Sequence, residues 1–233
     1  MEVTLIGYTS ADFAAIEELD GPGEWAETAG VDTTGASAIA EFAGRACYGS
    51  WSKPNPATAT NATYLANIVE VGHFSVLEHN AFTFYITGVS RSFTHEQVRH
   101  RHLSFSQLSQ RYVDHSDPEL IVPPVLAEDG LARLAIAEAQ MHASREYRYL
   151  LERAEALGLD RKAARGAARA VLPEATETKI VITGNARTWR EVIAKRTALR
   201  PDGKPVADQE IFDVVSEIRR QLIEVEPNLF AGV

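Results

Sequence analysis

The sequence has few of the residues that mark secreted, zinc-binding or membrane-spanning proteins. Cys47 is the single cysteine among 233 residues, which excludes an intrachain disulfide and a cysteine-rich zinc site. No apolar run approaches the roughly 20 residues that cross a bilayer. Residues 1–8 resemble a short strand and lack the basic end and long apolar segment of a signal peptide. We therefore expect a cytoplasmic protein with no membrane partner, in which Cys47 packs as a small buried thiol.

Basic residues are also scarce. Lysine and arginine together number 23 against 32 aspartates and glutamates, which gives a formal net charge of −9. Because proteins that bind duplex nucleic acid usually present a basic face, nucleic acid is not an expected partner. The bases that are present are mostly arginine, 18 against 5 lysines. Since planar guanidinium groups hold phosphates and carboxylates through paired hydrogen bonds, this bias indicates a local anion site in an acidic chain.

The chain does contain enough apolar residues, 45% of the total, to form a single domain over residues 1–233. Apolar spacing predicts helices near 60–71, 92–100, 128–157, 160–171, 185–198 and 208–224, and strands near 1–8, 81–88 and 179–183. In the longest helix, Leu134, Ala137 and Met141 form the expected apolar stripe. Segments 20–24 and 52–56 are expected to be loops. Few strands with segregated helices predict an α+β fold built on a small antiparallel or mixed sheet.

Side chains suited to ligand binding concentrate in residues 99–112, which read Arg-His-Arg-His-Leu-Ser-Phe-Ser-Gln-Leu-Ser-Gln-Arg-Tyr. We expect this segment to be a polar loop that follows the 92–100 helix. Guanidinium groups, hydroxyls and amides are the donors that anionic and heterocyclic ligands require. A basic run is usually a solvated face or a nucleic-acid-binding tail. The absence of lysine, the acidic chain and the interleaved Leu103, Phe105 and Leu108 favour a phosphate site instead.

The spacing within this segment resembles the signature of the flavin-dependent thymidylate synthases, often called ThyX. Arg99-His100-Arg101, Ser104, Ser109 and Arg111 stand at the fixed positions of that signature. Three further segments resemble other blocks of the family: residues 72–79, residues 168–173, and residues 183–187 together with Arg196. The resemblance covers the chain from about residue 41 to residue 218.

The resemblance implies an enzyme that converts dUMP to dTMP, with methylenetetrahydrofolate as carbon donor and with FAD, reduced by NADPH, as hydride source. The residues that would bind FAD are Ser75, Arg99, His100, Arg101, Gln107, Asn185, Arg187 and Glu191. The residues that would bind dUMP are Glu96, Gln97, Val98, Arg99, Gln107, Leu108, Ser109, Gln110, Arg111, Arg169 and Arg196. The resemblance also implies a ThyX-like fold and a homotetramer whose active sites draw residues from several subunits.

Arg196 is the candidate catalytic residue. A guanidinium group beside a uracil carbonyl would stabilise negative charge on the ring. If Asn185 caps the helix, positions 185, 189, 192 and 196 recur at helical spacing. We therefore expect Asn185 and Arg196 to face one cavity, with Trp189 and Val192 between them.

No covalent nucleophile is expected. Cys47 does not match the motif of the thymidylate synthases that add a cysteine to the pyrimidine ring. Ser109 has no histidine–carboxylate pair at readable spacing that would activate its hydroxyl. Ser109 is therefore assigned to binding the nucleotide phosphate.

The chain departs from the family pattern after Arg196. Residues 200–205, Arg-Pro-Asp-Gly-Lys-Pro, are inserted before Val206-Ala-Asp-Gln-Glu-Ile211. The histidine that family members commonly carry before Ala-x-x-Glu-Ile does not occur here. Because of its prolines and glycine, we expect the insertion to form an extra loop.

Two other functions remain open from the residues alone. A metal-dependent nucleotide hydrolase would use the histidine cluster, whose members are His73, His79, His95, His100 and His102. A helical nucleotide-binding or RNA-binding module would use the basic segment. No metal site is expected, because a helical His-Glu-x-x-His motif is missing, and the acidic balance disfavours RNA.

Overall fold

A single antiparallel sheet lies at the centre of the computed structural model, which describes residues 1–27, 33, 35–53 and 55–233. The strands in these residues are β1 (Glu2–Tyr8), β2 (Ala81–Ser90), β3 (Ser104–Gln107) and β4 (Glu177–Asn185). Their order across the sheet is β1-β2-β4-β3, and every neighbouring pair runs antiparallel. The prediction of a small sheet within an α+β fold is confirmed, and of its two alternatives the sheet is antiparallel.

Helices make up most of the remaining structure. Their bounds are α1 (Phe13–Glu17), α2 (Pro22–Glu27), α3 (Gly35–Tyr48), α4 (Asn61–Glu70), α5 (Arg91–Gln97), α6 (Gly130–Ala156), α7 (Arg161–Ala168), α8 (Ala186–Arg196) and α9 (Gln209–Val225). Short 3₁₀ helices span Pro56–Thr58, Phe74–His79, Pro124–Leu126 and Arg169–Val171. Thr60, Asp160 and Asn185 cap α4, α7 and α8, because each accepts a hydrogen bond from a backbone N–H of the following turn. These bonds satisfy donors that a helix start leaves unpaired, so the predicted helix starts are correct.

The apolar face of β2 fixes the helix that carries Arg196. Phe82, Phe84 and Ile86 are fully buried, as the alternation of the sequence predicts. The Trp189 ring of α8 meets the Phe84 ring edge-on, with centroids 5.2 Å apart, and its Nε1 atom donates to the Phe82 carbonyl at 3.2 Å. Such an anchored aromatic ring restricts both the rotation and the translation of α8 on the sheet. The outer face of α8 therefore presents its polar side chains in a fixed orientation.

Three local predictions are wrong. Residues 20–24 are not entirely loop, because α2 begins at Pro22, a residue well suited to the first helical turn. Residues 104–107 form edge strand β3 instead of a loop, because their backbone pairs with β4. Cys47 is exposed on α3, whereas Arg45 on the same helix is buried. Part of the predicted loop at 52–56 lies outside the described residues.

The apolar stripe predicted for α6 does not face the interior of the chain. Leu134 and Met141 are 55% and 65% exposed. The buried side of α6 consists of small and polar residues together with Tyr147: Gln140, Ala143, Ser144, Tyr147 and Ala154. Among the described residues, no helix is both long enough and apolar enough to cross a membrane.

Candidate active site

Arg196 connects two elements that are far apart in sequence. It lies in the last turn of α8, and its guanidinium NH1 atom is 2.8 Å from the Oε2 atom of Glu96 in the last turn of α5. Its Nε atom donates to Nε2 of His100 at 3.0 Å. Both side chains of the ion pair are partly buried, with 20% of Arg196 and 29% of Glu96 exposed. Three of the residues assigned from the sequence to FAD or dUMP therefore meet at one point.

The contact with Arg196 fixes the protonation of His100. Nε2 accepts a hydrogen bond and so carries no proton, which leaves the proton of the neutral ring on Nδ1. Burial, followed by the charges of Arg196 and Lys195, lowers the pKa of His100 to about 4, although Glu191 acts in the opposite direction. At neutral pH His100 is therefore an uncharged ring held in one tautomer.

The pKa of Glu96 is raised above its ordinary value, whereas that of His100 is lowered. Burial raises its pKa, and Asp208, whose carboxyl group lies within hydrogen-bonding reach, raises it further. The charge of Arg196 and its hydrogen bond lower the pKa, but the resulting direction is upward. The carboxyl group of Glu96 therefore keeps its proton to a higher pH than an isolated carboxyl group does.

A cationic cleft of about 240 Å³ lies beside this cluster. Its walls are formed by the segment after α5 and the outer face of α8: Arg99, His100, Arg101, His102, Thr188, Glu191, Val192 and Lys195. Arg99, Arg101 and Lys195 supply positive charge against the single carboxylate of Glu191. Guanidinium groups and an ammonium group in one partly enclosed site are suited to a phosphorylated ligand.

A second cleft, of about 390 Å³, adjoins the first at Glu191. Its walls are Phe74, Arg187, Arg190, Glu191, Ala194 and Val233. Arg187 contacts the Glu78 carboxylate at 2.5 Å and lies 3.9 Å from Glu191. Ser75 is exposed on the 3₁₀ helix that also carries Phe74. The assigned residues Ser75, Arg187 and Glu191 therefore belong to a surface that continues from the cationic cleft.

The other assigned residues form a separate group. Gln107 lies on β3, where its amide donates to Thr94 and Thr178 at 2.8 and 3.3 Å. The turn at 109–113 is held against α7 by Arg165, which donates to the Tyr112 carbonyl and to Asp114. In the described chain, the two clefts next to α8 are not lined by Ser109, Arg111 or Arg169. The assigned residues therefore form two groups. The first surrounds Arg196 and its two clefts, and the second, at β3 and the 109–113 turn, lies apart from it.

Several assigned side chains do not face either cleft. Gln97 is fully buried and Gln110 is 8% exposed, so neither side chain is presented to a ligand in this conformation. Asn185 accepts a hydrogen bond from the Thr188 N–H and serves as the helix cap. Trp189 is buried against the sheet. Neither Asn185 nor Arg196 lines one of the two clefts in the described chain, and of the two residues expected between them, Trp189 packs against the sheet while Val192 lines the cationic cleft.

The sequence interpretation missed several residues that shape the site. Thr188 and Lys195 were not assigned, although they recur at helical spacing with the assigned Glu191 along α8, and this pattern could have identified the face that lines the cleft. His102 follows the arginine-rich motif directly and lines the same cleft. Asp208 had no local signal, because only the packing of α9 brings it to Glu96.

The insertion after α8 is a compact turn. Its two ends pair between Leu199 and Pro205, and the Val206 N–H donates to the Ala198 carbonyl at 2.9 Å. Gly203 has φ +80, a conformation that glycine adopts without strain. The expected extra loop is therefore an ordered hairpin that leads from Arg196 back to Asp208.

The histidine cluster gives little support to the alternative of a metal-dependent nucleotide hydrolase. Across the ranges that the structure describes, no group of three or more histidine, cysteine or acidic side chains could hold a metal ion. A larger cavity of about 490 Å³ lies at the start of α9, but its polar wall includes Glu174, Asp208 and Glu210. Three acids beside prolines and isoleucines do not suit an anionic nucleotide.

Comparison with known proteins connects this geometry to one family. The family model described as thymidylate synthase complementing protein matches residues 31–228. A flavin-dependent thymidylate synthase of Mycobacterium tuberculosis is 54% identical over 207 residues, which cover 86% of this chain and 80% of the relative. A protein of the same name from Mycolicibacterium gilvum is 54% identical over 216 residues, 89% of this chain and 82% of the relative.

Solved structures share the fold at lower sequence identity. Thymidylate synthase X from Helicobacter pylori, determined with FAD and dUMP, superimposes with a TM-score of 0.66 and 20% identity and covers 99% of this chain and 98% of that one. The UMP/dUMP methylase PolB of Streptomyces cacaoi, bound with 5-Br dUMP, gives a TM-score of 0.62 and 19% identity, with 98% and 92% of the two chains covered. At these identities the likeness shows the fold alone.

Proposed function

Because the chain belongs to the flavin-dependent thymidylate synthase family, we propose that it methylates dUMP to dTMP with FAD as its cofactor. Methylenetetrahydrofolate is the proposed carbon donor and NADPH the proposed reductant. The observation that carries the proposal is the placement of Arg196 between Glu96 and His100, beside a cleft lined by Arg99 and Arg101. A nucleotide substrate also makes the cytoplasm the proposed location.

FAD binding is supported by the chemistry of the two adjoining clefts. A dinucleotide with two phosphates needs cationic donors, and Arg99, Arg101 and Lys195 supply them. The FAD-binding set that we propose remains Ser75, Arg99, His100, Arg101, Gln107, Asn185, Arg187 and Glu191. Glu191 lies near Arg187 and Lys195, which offset its charge. Bound flavin would supply the hydride, and the protein side chains would bind and orient it.

Arg196 is proposed to stabilise negative charge on the pyrimidine. Its guanidinium already donates three hydrogen bonds, to the His100 ring and to the carboxylate and carbonyl oxygens of Glu96, so its remaining donors are held in a fixed orientation. Preorganised donors of this kind contribute to catalysis because they need no reorganisation when charge develops on the substrate. The dUMP site that we propose combines Glu96–Arg99 and Arg196 with Gln107–Arg111 and Arg169. Gln97 and Gln110 could contribute only through their main chains in the present conformation.

The separation of these two groups supports a shared active site in a homotetramer. The first group lies at α5 and α8, and the second lies at the turn held against α7. The exposed apolar side of α6 adds a surface that assembly would cover: Leu131, Leu134 and Met141 are 81%, 55% and 65% exposed. Assembly would remove this surface from water. It would also allow the Ser109–Arg111 turn of one subunit to complete the Arg196 site of another.

The reaction is proposed to proceed without a cysteine nucleophile. Cys47 is exposed on α3 and does not line either cleft in the described chain. What the residues of this site can supply instead is positioning and charge stabilisation.

The direct test is an assay with purified protein, dUMP, methylenetetrahydrofolate, FAD and NADPH. The proposal predicts dTMP formation that requires dUMP, methylenetetrahydrofolate and NADPH, and that also requires added FAD if the protein is purified without bound flavin. Leaving out each one in turn is the control. Release of phosphate or uracil from dUMP in the absence of folate and NADPH would instead support the nucleotide hydrolase, and failure of dTMP to form in a folded, flavin-loaded sample would contradict the proposed function.

A further inference from the structure

The 109–113 turn carries Ser109, assigned to the nucleotide phosphate, and Arg111, assigned to dUMP. The Ser109 carbonyl accepts hydrogen bonds from the backbone N–H groups of Tyr112 and Val113 at 3.2 and 3.0 Å. The Ser109 hydroxyl oxygen accepts from the Arg111 N–H at 3.3 Å, and the hydroxyl proton can still be donated to a ligand. Arg111 is exposed and Ser109 is partly exposed. Both side chains are therefore accessible, and their directions depend on how the turn is held.

Arg165 of α7 holds this turn against the helix. Its NH1 atom donates to the Tyr112 carbonyl at 2.5 Å, and its NH2 atom donates to Oδ2 of Asp114 at 3.0 Å. Only 13% of the Arg165 side chain is exposed, so its guanidinium faces the turn more than the solvent. Because a planar guanidinium with two fixed acceptors has little freedom to rotate, these two bonds fix the position of the turn relative to α7.

Asp114 is the second half of this clamp between α7 and the turn. While its Oδ2 atom accepts from Arg165, its Oδ1 atom accepts from the backbone N–H and the hydroxyl of Ser116 at 2.8 and 2.5 Å. The Ser116 carbonyl in turn accepts from Arg148 of α6 at 2.7 Å. The carboxylate of Asp114 therefore joins the end of the turn to two helices and offsets the charge of Arg165.

The same helix also supports the Arg111 side chain. A Cβ atom at Gly166 would lie 3.8 Å from Cγ and 3.9 Å from Nε of Arg111, so the Arg111 side chain crosses α7 where the helix has no side chain of its own. Arg169, also assigned to dUMP, lies one helical turn beyond Arg165 and is exposed. Since Asp114 offsets the charge of Arg165, Arg111 and Arg169 are the exposed cations that face an anionic ligand here.

We propose that Arg165 and Asp114 are positioning residues of the dUMP site: together they hold the 109–113 turn on α7, so that Ser109 and Arg111 present their donors to the phosphate group. Neither Arg165 nor Asp114 touches the nucleotide. Their contribution should therefore apply to the phosphorylated ligand and not to its nucleoside, deoxyuridine. The identity of the nucleotide rests on the proposed function, whereas the clamp belongs to the protein without substrates.

Calorimetric titration of the flavin-loaded protein with dUMP and with deoxyuridine tests this role. In Arg165→Ala the Kd for dUMP should rise by about 10-fold or more, the effect of losing one hydrogen bond to a charged group, while the Kd for deoxyuridine should not change. Asp114→Asn should shift the Kd for dUMP in the same direction but less, because an amide oxygen still accepts from Arg165. The matched control is Arg161→Ala, exposed in the first turn of α7, which should bind both ligands like the wild type.

The kinetic arm separates positioning from a general loss of structure. The KM for dUMP should rise in Arg165→Ala, while kcat at saturating dUMP and bound flavin per subunit stay close to wild type. Arg165→Lys keeps one of the two donors and should lie between Arg165→Ala and the wild type. If Arg165→Ala does not fold, Asp114→Asn and Arg165→Lys carry the same comparison.

Amide hydrogen exchange measures the clamp without any ligand. A peptide that spans residues 109–113 should exchange faster in Arg165→Ala and in Asp114→Asn than in the wild type, because the turn that protects its N–H groups opens more often. Arg161→Ala should exchange like the wild type.

Three results would overturn the inference: unchanged exchange of the turn, unchanged affinity for dUMP, or an equal loss of affinity for dUMP and deoxyuridine, which would indicate a general structural role. A loss of affinity confined to dUMP, in a protein that forms no dTMP, would support the inference and refute the proposed reaction alone.

Discussion

The Nε atom of Arg196 lies 3.0 Å from Nε2 of His100, and this contact joins the end of α8 to the arginine-rich segment that follows α5. Because Nε2 is the acceptor, the neutral His100 ring can donate only through Nδ1. Glu96 occupies the other side of the same guanidinium. The three side chains thus form one unit, in which a change in any member alters the orientation of the other two.

Replacement of Arg196 by lysine should reduce turnover much more than flavin content. One ammonium group cannot reproduce the planar fork that reaches Glu96 and His100 together. We expect kcat to fall by roughly 100-fold, the typical cost of losing a preorganised donor, while bound flavin per subunit stays close to wild type. Arg200→Lys, on the exposed hairpin after α8, is the matched control. Turnover of Arg196→Lys equal to wild type would disprove the assigned role.

His100 should make stability depend on pH in a defined window. Its pKa is about 4 in the folded protein, against an ordinary value of 6.5, so between these values the unfolded chain binds a proton that the folded chain does not. The contribution of the neutral His100 ring to the free energy of unfolding is present above pH 6.5 and is lost as pH falls towards 4. The free energy of unfolding, measured with urea at a series of pH values, should therefore fall less steeply with decreasing pH in His100→Asn than in the wild type. Identical slopes would contradict this protonation state.

The buried amide of Gln97 should be replaceable with a gain in stability. Neither its nitrogen nor its oxygen has a hydrogen-bond partner among the described residues, and an unsatisfied buried polar group costs about 1–3 kcal/mol. We expect Gln97→Leu to raise the free energy of unfolding by about 1–2 kcal/mol. Gln107→Leu is the matched comparison and should lower it, because that amide bonds to Thr94 and Thr178. A destabilised Gln97→Leu protein would show that this amide has a partner in solution.

The ion pair between Glu41 and Arg45 should be critical for folding. The two side chains are 2.6 Å apart and each is 2% exposed, and Glu41 also accepts from Trp25 and Asn61. Glu41→Gln leaves a buried guanidinium without its counter-charge, so the free energy of unfolding should fall by about 3 kcal/mol or more. Glu217→Gln removes the partner of an exposed arginine and should have little effect. Chemical denaturation measures the free energy of unfolding of both variants. Equal losses in the two would contradict the difference expected between a buried and an exposed ion pair.

Cys47→Ala should keep dTMP formation close to the wild-type rate. The thiol is exposed on α3, away from the cationic cleft. The measurement is dTMP produced per subunit at saturating substrates. A folded, flavin-loaded Cys47→Ala protein without activity would revive a thiolate mechanism.

The elements predicted correctly are those in which local chemistry and tertiary packing agree. Apolar spacing predicted β2 near residues 81–88, where Phe82, Phe84 and Ile86 are buried. It also predicted helices that begin near residues 60, 160 and 185, where the structure places three helix caps. Strand β3 was missed because its exposed Ser104 and Ser106 conceal a backbone that pairs only with β4. The α6 stripe was read correctly as apolar, but its side chains face away from the core of the chain.

The sequence predicted which residues belong to the site better than it predicted how they are arranged. The spacing from Arg99 to Arg111 identified the family, and Arg196 was correctly associated with this region. The meeting of Arg196 with Glu96 and His100 depends on the packing of α8 against the sheet through Trp189, which no local pattern encodes. The same holds for Asp208, because α9 and the 199–206 hairpin deliver it across the fold.

The visible absorption spectrum of the purified protein is the sharpest test of the proposed function, because that function requires a cationic cleft that binds FAD beside Arg196. We predict a yellow protein, or one that binds added FAD stoichiometrically, whose flavin absorbance bleaches on addition of NADPH without oxygen and returns when dUMP and methylenetetrahydrofolate are turned over. A fully folded sample that binds no flavin at any tested concentration would disprove the proposed function.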